Sequence, residues 1–565
     1  MRKPWRLTAI FLFAAAILTG AFYGTRIQAL NEETRESMKL YTELLGVARQ
    51  NYGAEINYRD LVYASIQGMT RTLDPHTSFL APQAYDGMRQ RQQASFFGLG
   101  ILVGQRNGRV TVITPIDGGP ASRLGIRAGD IIDTIDGEDT EPMSIDDAVG
   151  LLKGPKGTPV TITVLRRGLD KPLEMTVIRA EIPQTTVRYS YMMTPDTGYM
   201  RITDFNRSTG QEVTEKLAEL RSQGMKRLLI DLRNNGGGLL DQAIEVGELF
   251  VPKGTRIVET RGRTRSSHQT FYADERRSDM EAPIVVLVNS GTASAAEILA
   301  GAIQDHDIGI IAGSPTWGKG LVQTVYSLSY GAGLALTTAK YYTPSGRLIQ
   351  RDYSSYYDYY AYNPQTAEAN LLEGEDGSES EAPTAHTAED TYETDLGRKV
   401  YGGGGITPDI ALEPRAVSPF LQRLFTHNAF FDFAVDYHNR KPIKSEAWKP
   451  PAQLVTEFRN WLEEEEIGTK EELKEDLDNP ETREFVSRQI HAEIFNASFG
   501  QEAWHRVLSK GDDQIQAALE LFGDASELLA SRQRLQLETE RRASLSKSDL
   551  EAGVGEIETA EPKTN

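Results

Sequence analysis

Residues able to do chemistry gather in three short stretches. The first is Asn289-Ser290-Gly291-Thr292-Ala293-Ser294-Ala295-Ala296-Glu297. A buried-strand pattern over Pro283–Val288 ends there, a turn of small residues follows, and a helical pattern begins. Ser294 then falls near the first turn of a helix, where N–H groups lack intrahelical partners. Such donors stabilise the oxyanion of an acyl transfer. A serine at a helix start is equally a plain cap. The second stretch is Pro315-Thr316-Trp317-Gly318-Lys319-Gly320, with Gln323 four residues beyond the lysine. A lysine acts as a general base only when neutral, so its ordinary pKa of about 10.4 must fall by several units through desolvation. The flanking glycines admit close backbone approach, Trp317 can exclude water, and the Gln323 amide can orient the amine. A surface lysine in a Gly-rich turn fits the same residues. The third stretch, Asp231-Leu232-Arg233-Asn234-Asn235-Gly236-Gly237-Gly238, follows another buried-strand pattern. It sits at the C-terminal end of a strand, where α/β folds place ligands, and its N–H groups can complete an oxyanion hole.

Two other readings fail on chemistry. Gly313 to Lys319 fits G-x-x-x-x-G-K, but Gly320 stands where a nucleotide loop needs a Ser or Thr hydroxyl for magnesium. Leu321–Val325 then reads as a strand, so no helix N-terminus faces a phosphate. His306 follows the helix that Ser294 starts. It lies over about 15 Å away at 1.5 Å per residue and reads as structural.

The elements that must position these stretches alternate. Gly198–Ile202, Arg227–Asp231 and Pro283–Val288 read as strands; Thr209–Gln223, Leu239–Leu249 and Ala293–Gln304 read as helices. This is α/β patterning with a largely parallel sheet. Residues 31–95 read as helical and break at Leu73-Asp74-Pro75-His76, because Pro75 drives its predecessor out of the α region. From Phe96 to Ile182 the period is two, with Val110–Ile113 and Val160–Val164 as strands and a helix near Ile145–Leu152. Residues 352–397 hold twelve acidic residues, no Lys or Arg, and six tyrosines at their start, and read as a disordered acidic insertion. Order is expected to return at Gly402–Ile410. Residues 418–545 are amphipathic helix, and the last twenty residues read as a disordered tail.

The chain has 565 residues, enough for two to four domains. Its net charge of −19 argues against nucleic acid as a main partner. It has no cysteine, which excludes disulfides, a Cys nucleophile and Cys-ligated metals. Arg2, Lys3 and Arg6 precede an apolar run from Leu7 to Tyr23, the pattern of an export signal. With only Gln28-Ala29 as a weak cleavage site, an uncleaved signal anchor over residues 1–30 is preferred to a cleaved peptide. The remainder is then expected outside the cytoplasm.

Taken together, Leu73-Asp74-Pro75-His76-Thr77-Ser78-Phe79-Leu80, the Asp231–Gly238 turn, the Ser294 and Lys319 segments and Tyr342-Thr343-Pro344-Ser345-Gly346-Arg347 resemble the C-terminal processing peptidases, or tail-specific proteases. The resemblance covers roughly residues 31–350 and Gly402–Ile410. It implies a ClpP/crotonase-like protease core over 183–415 with an inserted PDZ domain over 96–182, an N-terminal helical region over 31–95 and a C-terminal helical domain over 416–545. It implies Ser294 as nucleophile, Lys319 as general base and Gln323 as its support. Gly236, Gly237 and Ala295 become the oxyanion donors, and Asp305 matches a supporting acidic position. The family's usual S-A-S-A-S-E reads T-A-S-A-A-E here, with Thr292 and Ala296 in place of the outer serines. Phe97-Gly98-Leu99-Gly100-Ile101 resembles the PDZ loop that captures a terminal carboxylate, and Ala121–Asp130 resembles the PDZ signature. A tail would add as a strand to the sheet edge. The implied function is a serine endopeptidase that needs no cofactor or metal and acts on proteins or peptides with apolar C-termini. With the N-terminal segment as anchor, it is expected at a bacterial membrane with its catalytic part periplasmic or extracytoplasmic; self-association or an adaptor protein stays open. The rival is a non-catalytic PDZ scaffold at the membrane, which would have no need of Ser294, Lys319 and Gln323 together.

Overall fold

The computed structural model describes residues 32, 34–116, 118–274, 282–353, 359 and 390–555, with side chains as far as residue 541 except residue 540. The expected membrane anchor and most of the acidic insertion lie outside the described residues. Among the described residues no helix is long and apolar enough to cross a membrane.

The chain divides into two units at Ala81. The first holds a helix over residues 34–51 and a second over Tyr58–Arg71. Asn57 caps the second helix by accepting the Arg59 N–H at 3.1 Å. Asp74 closes the turn beyond it, accepting the N–H groups of His76 and Thr77 at 2.8 Å each and the Thr77 hydroxyl at 2.6 Å. The break expected at Pro75 is therefore a side-chain-capped turn.

In the second unit, a six-stranded sheet runs through the hydrophobic core. Its strands are β1 (Val187–Met192), β2 (Thr197–Ile202), β3 (Arg227–Asp231), β4 (Ile284–Val288), β5 (Gly309–Gly313) and, after several other elements, Ile410–Ala411. β1 and β2 are antiparallel; every later neighbour pairs in parallel. Helices α1 (Thr209–Ser222), α2 (Leu240–Gly247) and α3 (Ala295–Asp305) supply the crossovers. Side chains alternate along each strand. Leu228, Ile230, Ile284, Val286 and Val288 join one core cluster with residues of these helices. Leu229, Val285, Leu287, Ile310 and Ala312 form a second cluster on the opposite face. Strands buried on both faces read as continuous apolar runs, and β4 is such a run. A second sheet holds Arg256–Gly262, Gln269–Tyr272, β6 (Leu321–Ser327) and β7 (Gly333–Tyr342); β6 and β7 are antiparallel.

Residues 95–183 carry their own core. Strands Ile101–Arg106, Arg109–Pro115, Ile131–Ile135, Pro159–Leu165 and Leu173–Ile178 lie side by side in that order, with Ile101–Arg106 at the edge. Val112, Ile132, Ile162 and Val164 are buried among them, and helix Ile145–Leu152 adds Ala148 and Leu152.

The C-terminal helices do two things. Five of them, from Pro419 to Phe499, pack an aromatic core around Phe430, Phe433, Phe458 and Trp461. Then α4 (Gln501–Leu508), α5 (Asp513–Glu520) and α6 (Phe522–Gly555) return to the main sheet. Ile515 and Ala518 of α5, with Phe522 and Ala525 of α6, cover the face formed by Tyr199, Leu229, Val285 and Ile310. From α4, His505 stacks on Tyr189 at 4.0 Å between ring centroids, and its Nδ1 lies 3.0 Å from the Tyr191 hydroxyl.

Two expectations change. Residues 390–397, expected within the disordered insertion, are structured: Thr391–Glu393 pairs with Lys399–Tyr401, and Asp395 meets His306 at 2.8 Å. That hairpin supplies pairings that a tally of charges does not reveal. The expected tail over 546–565 is helical as far as Gly555, since Ala, Leu, Glu and Ser tolerate or favour the helix begun upstream; residues 556–565 lie outside the described residues.

Burial lowers the His505 and His491 imidazoles to about 4, from an ordinary value of 6.5. Between those values the unfolded chain binds the proton first, so stability is lost as pH falls from about 6.5 toward 4, by up to about 3 kcal/mol per histidine. A thermal melt series from pH 7.5 to 4.5 should show the midpoint falling mainly below pH 6.5, and His505→Gln should make that fall shallower.

Candidate active site

β4 is buried along all five residues and aims the Asn289–Ala293 turn at the start of α3. Ser294 is the residue before that helix, with φ 57° and ψ −115°. This backbone is rarely adopted by residues with a Cβ and costs on the order of 1–3 kcal/mol. The surroundings fix it. The Ser294 N–H donates to Glu297 Oε2 at 2.7 Å, the Ala293 N–H to the Asn235 carbonyl at 2.9 Å, and the Thr292 hydroxyl to the Leu232 carbonyl at 2.8 Å. Every residue of α3 is buried. Ser294 itself is 6% exposed.

Glu297 organises the region. Its side chain is fully buried and accepts four hydrogen bonds. Oε2 receives the N–H groups of Ser294 at 2.7 Å and Lys319 at 2.9 Å. Oε1 receives the Gly318 N–H at 2.7 Å and the Thr316 hydroxyl at 2.5 Å. One carboxylate oxygen therefore joins the backbone of Ser294 to that of Lys319. Burial pushes the Glu297 carboxyl above the usual range, and the four donors oppose that shift.

The lysine loop is held from three sides. The Trp317 N–H donates to the Thr292 carbonyl at 2.9 Å, tying it to the serine turn. The Ile406 N–H donates to the Thr316 hydroxyl at 2.7 Å, so the Gly-rich segment after the insertion packs against it. Gly320 donates to Gln350 Oε1 at 2.9 Å. β6 then carries Gln323, whose Oε1 accepts from Lys319 Nζ at 3.3 Å. β7 brings Tyr341: its N–H donates to the Gly320 carbonyl at 2.7 Å, and its buried phenol, raised to about 12 by burial, interacts with the Ser294 hydroxyl. Sequence reading missed Glu297 and Tyr341. A signal existed for the first: an acid three residues after a Ser at a helix start is the capping-box spacing.

The Asp231–Gly238 turn lies against the serine. Gly237 has φ 94°, and a Cβ there would come within 2.8 Å of both the Ala295 nitrogen and the Ser294 Cβ. Its N–H is already committed to Asn235 Oδ1 at 2.9 Å, so Gly237 is not an open oxyanion donor in this conformation. Its place in the site is close backbone approach, which only glycine permits here. Among the described residues, the N–H groups of Gly236 and Ala295 carry no hydrogen bond. Asp231, at the root of the turn, is fully buried. Burial alone would raise its carboxyl, but the Arg233 guanidinium at 2.7 Å and the Tyr199 hydroxyl at 2.8 Å hold it well below the usual range.

Asp305 stands at the other end of α3 from Ser294. It pairs with the fully buried Arg347 at 2.7 Å and accepts the Ser345 N–H at 2.9 Å, so its support goes to the Thr343–Arg347 turn. His306 is likewise structural, with Nε2 2.7 Å from the Arg256 carbonyl. In the small domain, Leu99 is buried, Phe97 is 40% exposed, and among the described residues the Leu99 and Gly100 N–H groups carry no hydrogen bond. Gly98 ends one strand and Ile101 begins the edge strand.

Glu297→Gln keeps the shape but replaces one accepting oxygen with an NH2 group facing donors. We expect at least a tenfold slower reaction of Ser294 with a serine-directed phosphonate and a stability loss of about 3 kcal/mol, read by denaturant titration.

Comparison with known proteins bears on the family of the chain. Residues 196–354 match the model of peptidase family S41, and residues 111–166 match that of the PDZ domain. A carboxy-terminal-processing protease of Bartonella bacilliformis is 38% identical over 348 residues, covering 61% of this chain and 79% of the relative. A carboxyl-terminal-processing protease of Synechocystis is 38% identical over 299 residues, covering 52% of this chain and 69% of the relative. A solved photosystem II D1 C-terminal processing protease is 31% identical, covering 55% of this chain and 89% of its own, with a TM-score of 0.32. The chain belongs to the carboxy-terminal-processing proteases of peptidase family S41 and is a serine endopeptidase with a PDZ domain.

Proposed function

We propose that this protease works by a serine–lysine mechanism on the C-terminal tails of proteins, at the outer side of a bacterial membrane. The observation that carries the reading is the single Glu297 oxygen that binds the backbone N–H groups of both Ser294 and Lys319. It brings the two segments together deep in the molecule, with the lysine side chain oriented by Gln323.

The tail enters through the PDZ domain. Its terminal carboxylate meets the Leu99 and Gly100 N–H groups, and its backbone pairs with the edge strand Ile101–Arg106. Apolar terminal side chains face the adjoining helix Ile145–Leu152. At the catalytic site, neutral Lys319 accepts the Ser294 hydroxyl proton while Oγ forms a bond to the scissile carbonyl carbon. The oxyanion is met by the N–H groups of Ala295 and Gly236, and the missing side chain of Gly237 lets the turn lie close against Ser294. The C–N bond then breaks and the leaving amine takes the proton from Lys319. Water attacks the ester, gives its proton to Lys319, and Ser294 recovers it as the acid product leaves. Tyr341 is held beside the lysine loop by its N–H bond to the Gly320 carbonyl at 2.7 Å.

The basic residues Arg2, Lys3 and Arg6 ahead of the apolar run support anchoring, with the rest of the chain exported. An impermeant amine-reactive label added to intact cells should modify lysines of the catalytic part; labelling only after lysis overturns the export reading.

Ser294→Ala and Lys319→Ala should each abolish cleavage of a quenched fluorescent peptide with an apolar C-terminus, a loss of at least a thousandfold in kcat. Tail binding, followed by fluorescence anisotropy, should stay within twofold of the unaltered protein. Turnover that survives in both variants rules the mechanism out.

A further inference from the structure

The Asp231–Gly238 turn is held from a part of the chain nearly three hundred positions away. Arg233 is 8% exposed and binds Asp231 through Nε at 3.0 Å and Nη2 at 2.7 Å. The other side of the same guanidinium is gripped by the start of α5. Nη1 donates to Gln514 Oε1 at 2.8 Å, and Nη2 donates to Asp512 Oδ2 at 2.9 Å. Those partners are themselves fixed. Asp512 caps α5 by accepting the Ile515 N–H at 3.0 Å. Gln514 donates to the Leu412 carbonyl at 2.7 Å, beside the last strand of the main sheet. Tyr199 reaches Asp231 from below at 2.8 Å, with His505 Nε2 3.4 Å from the same hydroxyl.

Arg233 is thus a two-sided clamp. One side is its own strand end, and the other is the C-terminal helical layer. Four residues after it comes Gly237, packed against the Ser294 Cβ with no room for even a methyl group. A small rotation of the turn moves Gly236 and Gly237 relative to Ser294.

We propose that Asp512 and Gln514 are positioning residues of the protease: through Arg233 they set the turn that faces Ser294, and so control turnover rather than capture of the substrate tail. This rests on the serine reading above. The clamp is separable from the docking of α5. Ile515 and Ala518, 1% and 0% exposed, bury α5 on the sheet. Asp512 contributes only a cap and the arginine contact, and keeps about a third of its side chain in solvent. A misplaced oxyanion donor slows the chemical step most, because it is needed only as charge develops.

The test uses the full chain. Asp512→Ser keeps a helix cap but is too short to reach Arg233; Asp512→Asn keeps the cap and one acceptor without the charge. Gln514→Ala removes the second contact. With a fluorogenic peptide ending in an apolar tail, we expect kcat to fall tenfold or more in Asp512→Ser, less in Asp512→Asn, and further when Gln514→Ala is added. KM and tail-peptide Kd should stay within twofold, and the melting midpoint within about 3 °C. Labelling of Ser294 by a phosphonate probe should slow in the same order. Unchanged kcat and labelling in Asp512→Ser overturn the proposal. So does a loss of kcat matched in each variant by a falling melting midpoint, which marks a merely structural contact. Ser294→Ala, run alongside, separates the two readings: persistent labelling there refutes the serine assignment itself, whatever Asp512 does.

Discussion

A carboxylate with no exposure to water is a liability unless every lone pair is used. Glu297 uses them on three backbone N–H groups and one hydroxyl, drawn from two loops that the chain order keeps apart. That is the constraint from which the rest of the site follows. The acid has to be at the first turn of α3, so the helix has to begin at Ser294. The lysine loop has to come back to the same oxygen, so β5 must lead into it from the neighbouring position in the sheet. Removing the acid leaves three buried N–H groups to find partners, each costing about 1–3 kcal/mol if it fails. The positive φ of Ser294 is tolerated because this bond and the buried helix behind it leave no relaxed alternative.

Much of this is legible without coordinates. Continuous apolar runs announce parallel strands, and β2, β3 and β4 fall within a residue or so of where their patterns put them. Small residues after such a run mark a turn that something must approach closely, and Gly237 is approached by the serine itself. The rejection of a nucleotide loop rests on Gly320 and on the strand expected after it, and β6 does follow Lys319 as a strand. What could not be read was which N–H groups are already spent. Gly236 and Gly237 look interchangeable in a Gly-rich run, yet the neighbouring Asn235 side chain takes one of them. Hydrogen-bond allocation of that kind depends on a rotamer, and no pattern of residue types encodes it. Tyr341 was hidden for another reason: it comes to the serine across a β pairing, and long-range register is not written locally.

The C-terminal helices were the largest silence. Their amphipathic pattern gave helices but not what they cover. A clue lay in the strands. Leu229, Val285, Leu287 and Ile310 are as apolar as their neighbours on the other face, and α1, α2 and α3 pack with the opposite cluster. A doubly buried sheet with helices assigned to one side is missing a layer. Residues 515–525 supply part of it, and the aromatic and histidine contacts of α4 extend it toward Asp231.

Because that layer closes the fold, the chain past residue 415 cannot be treated as a detachable appendage. A protease trimmed there would present Tyr199, Leu229, Val285 and Ile310 to solvent on a flat sheet, an invitation to stick to other chains. Any lineage that shed these helices would have to repaint that side with polar residues or find another covering. The boundary between catalytic body and accessory region therefore runs through the middle of a hydrophobic core, not along a linker.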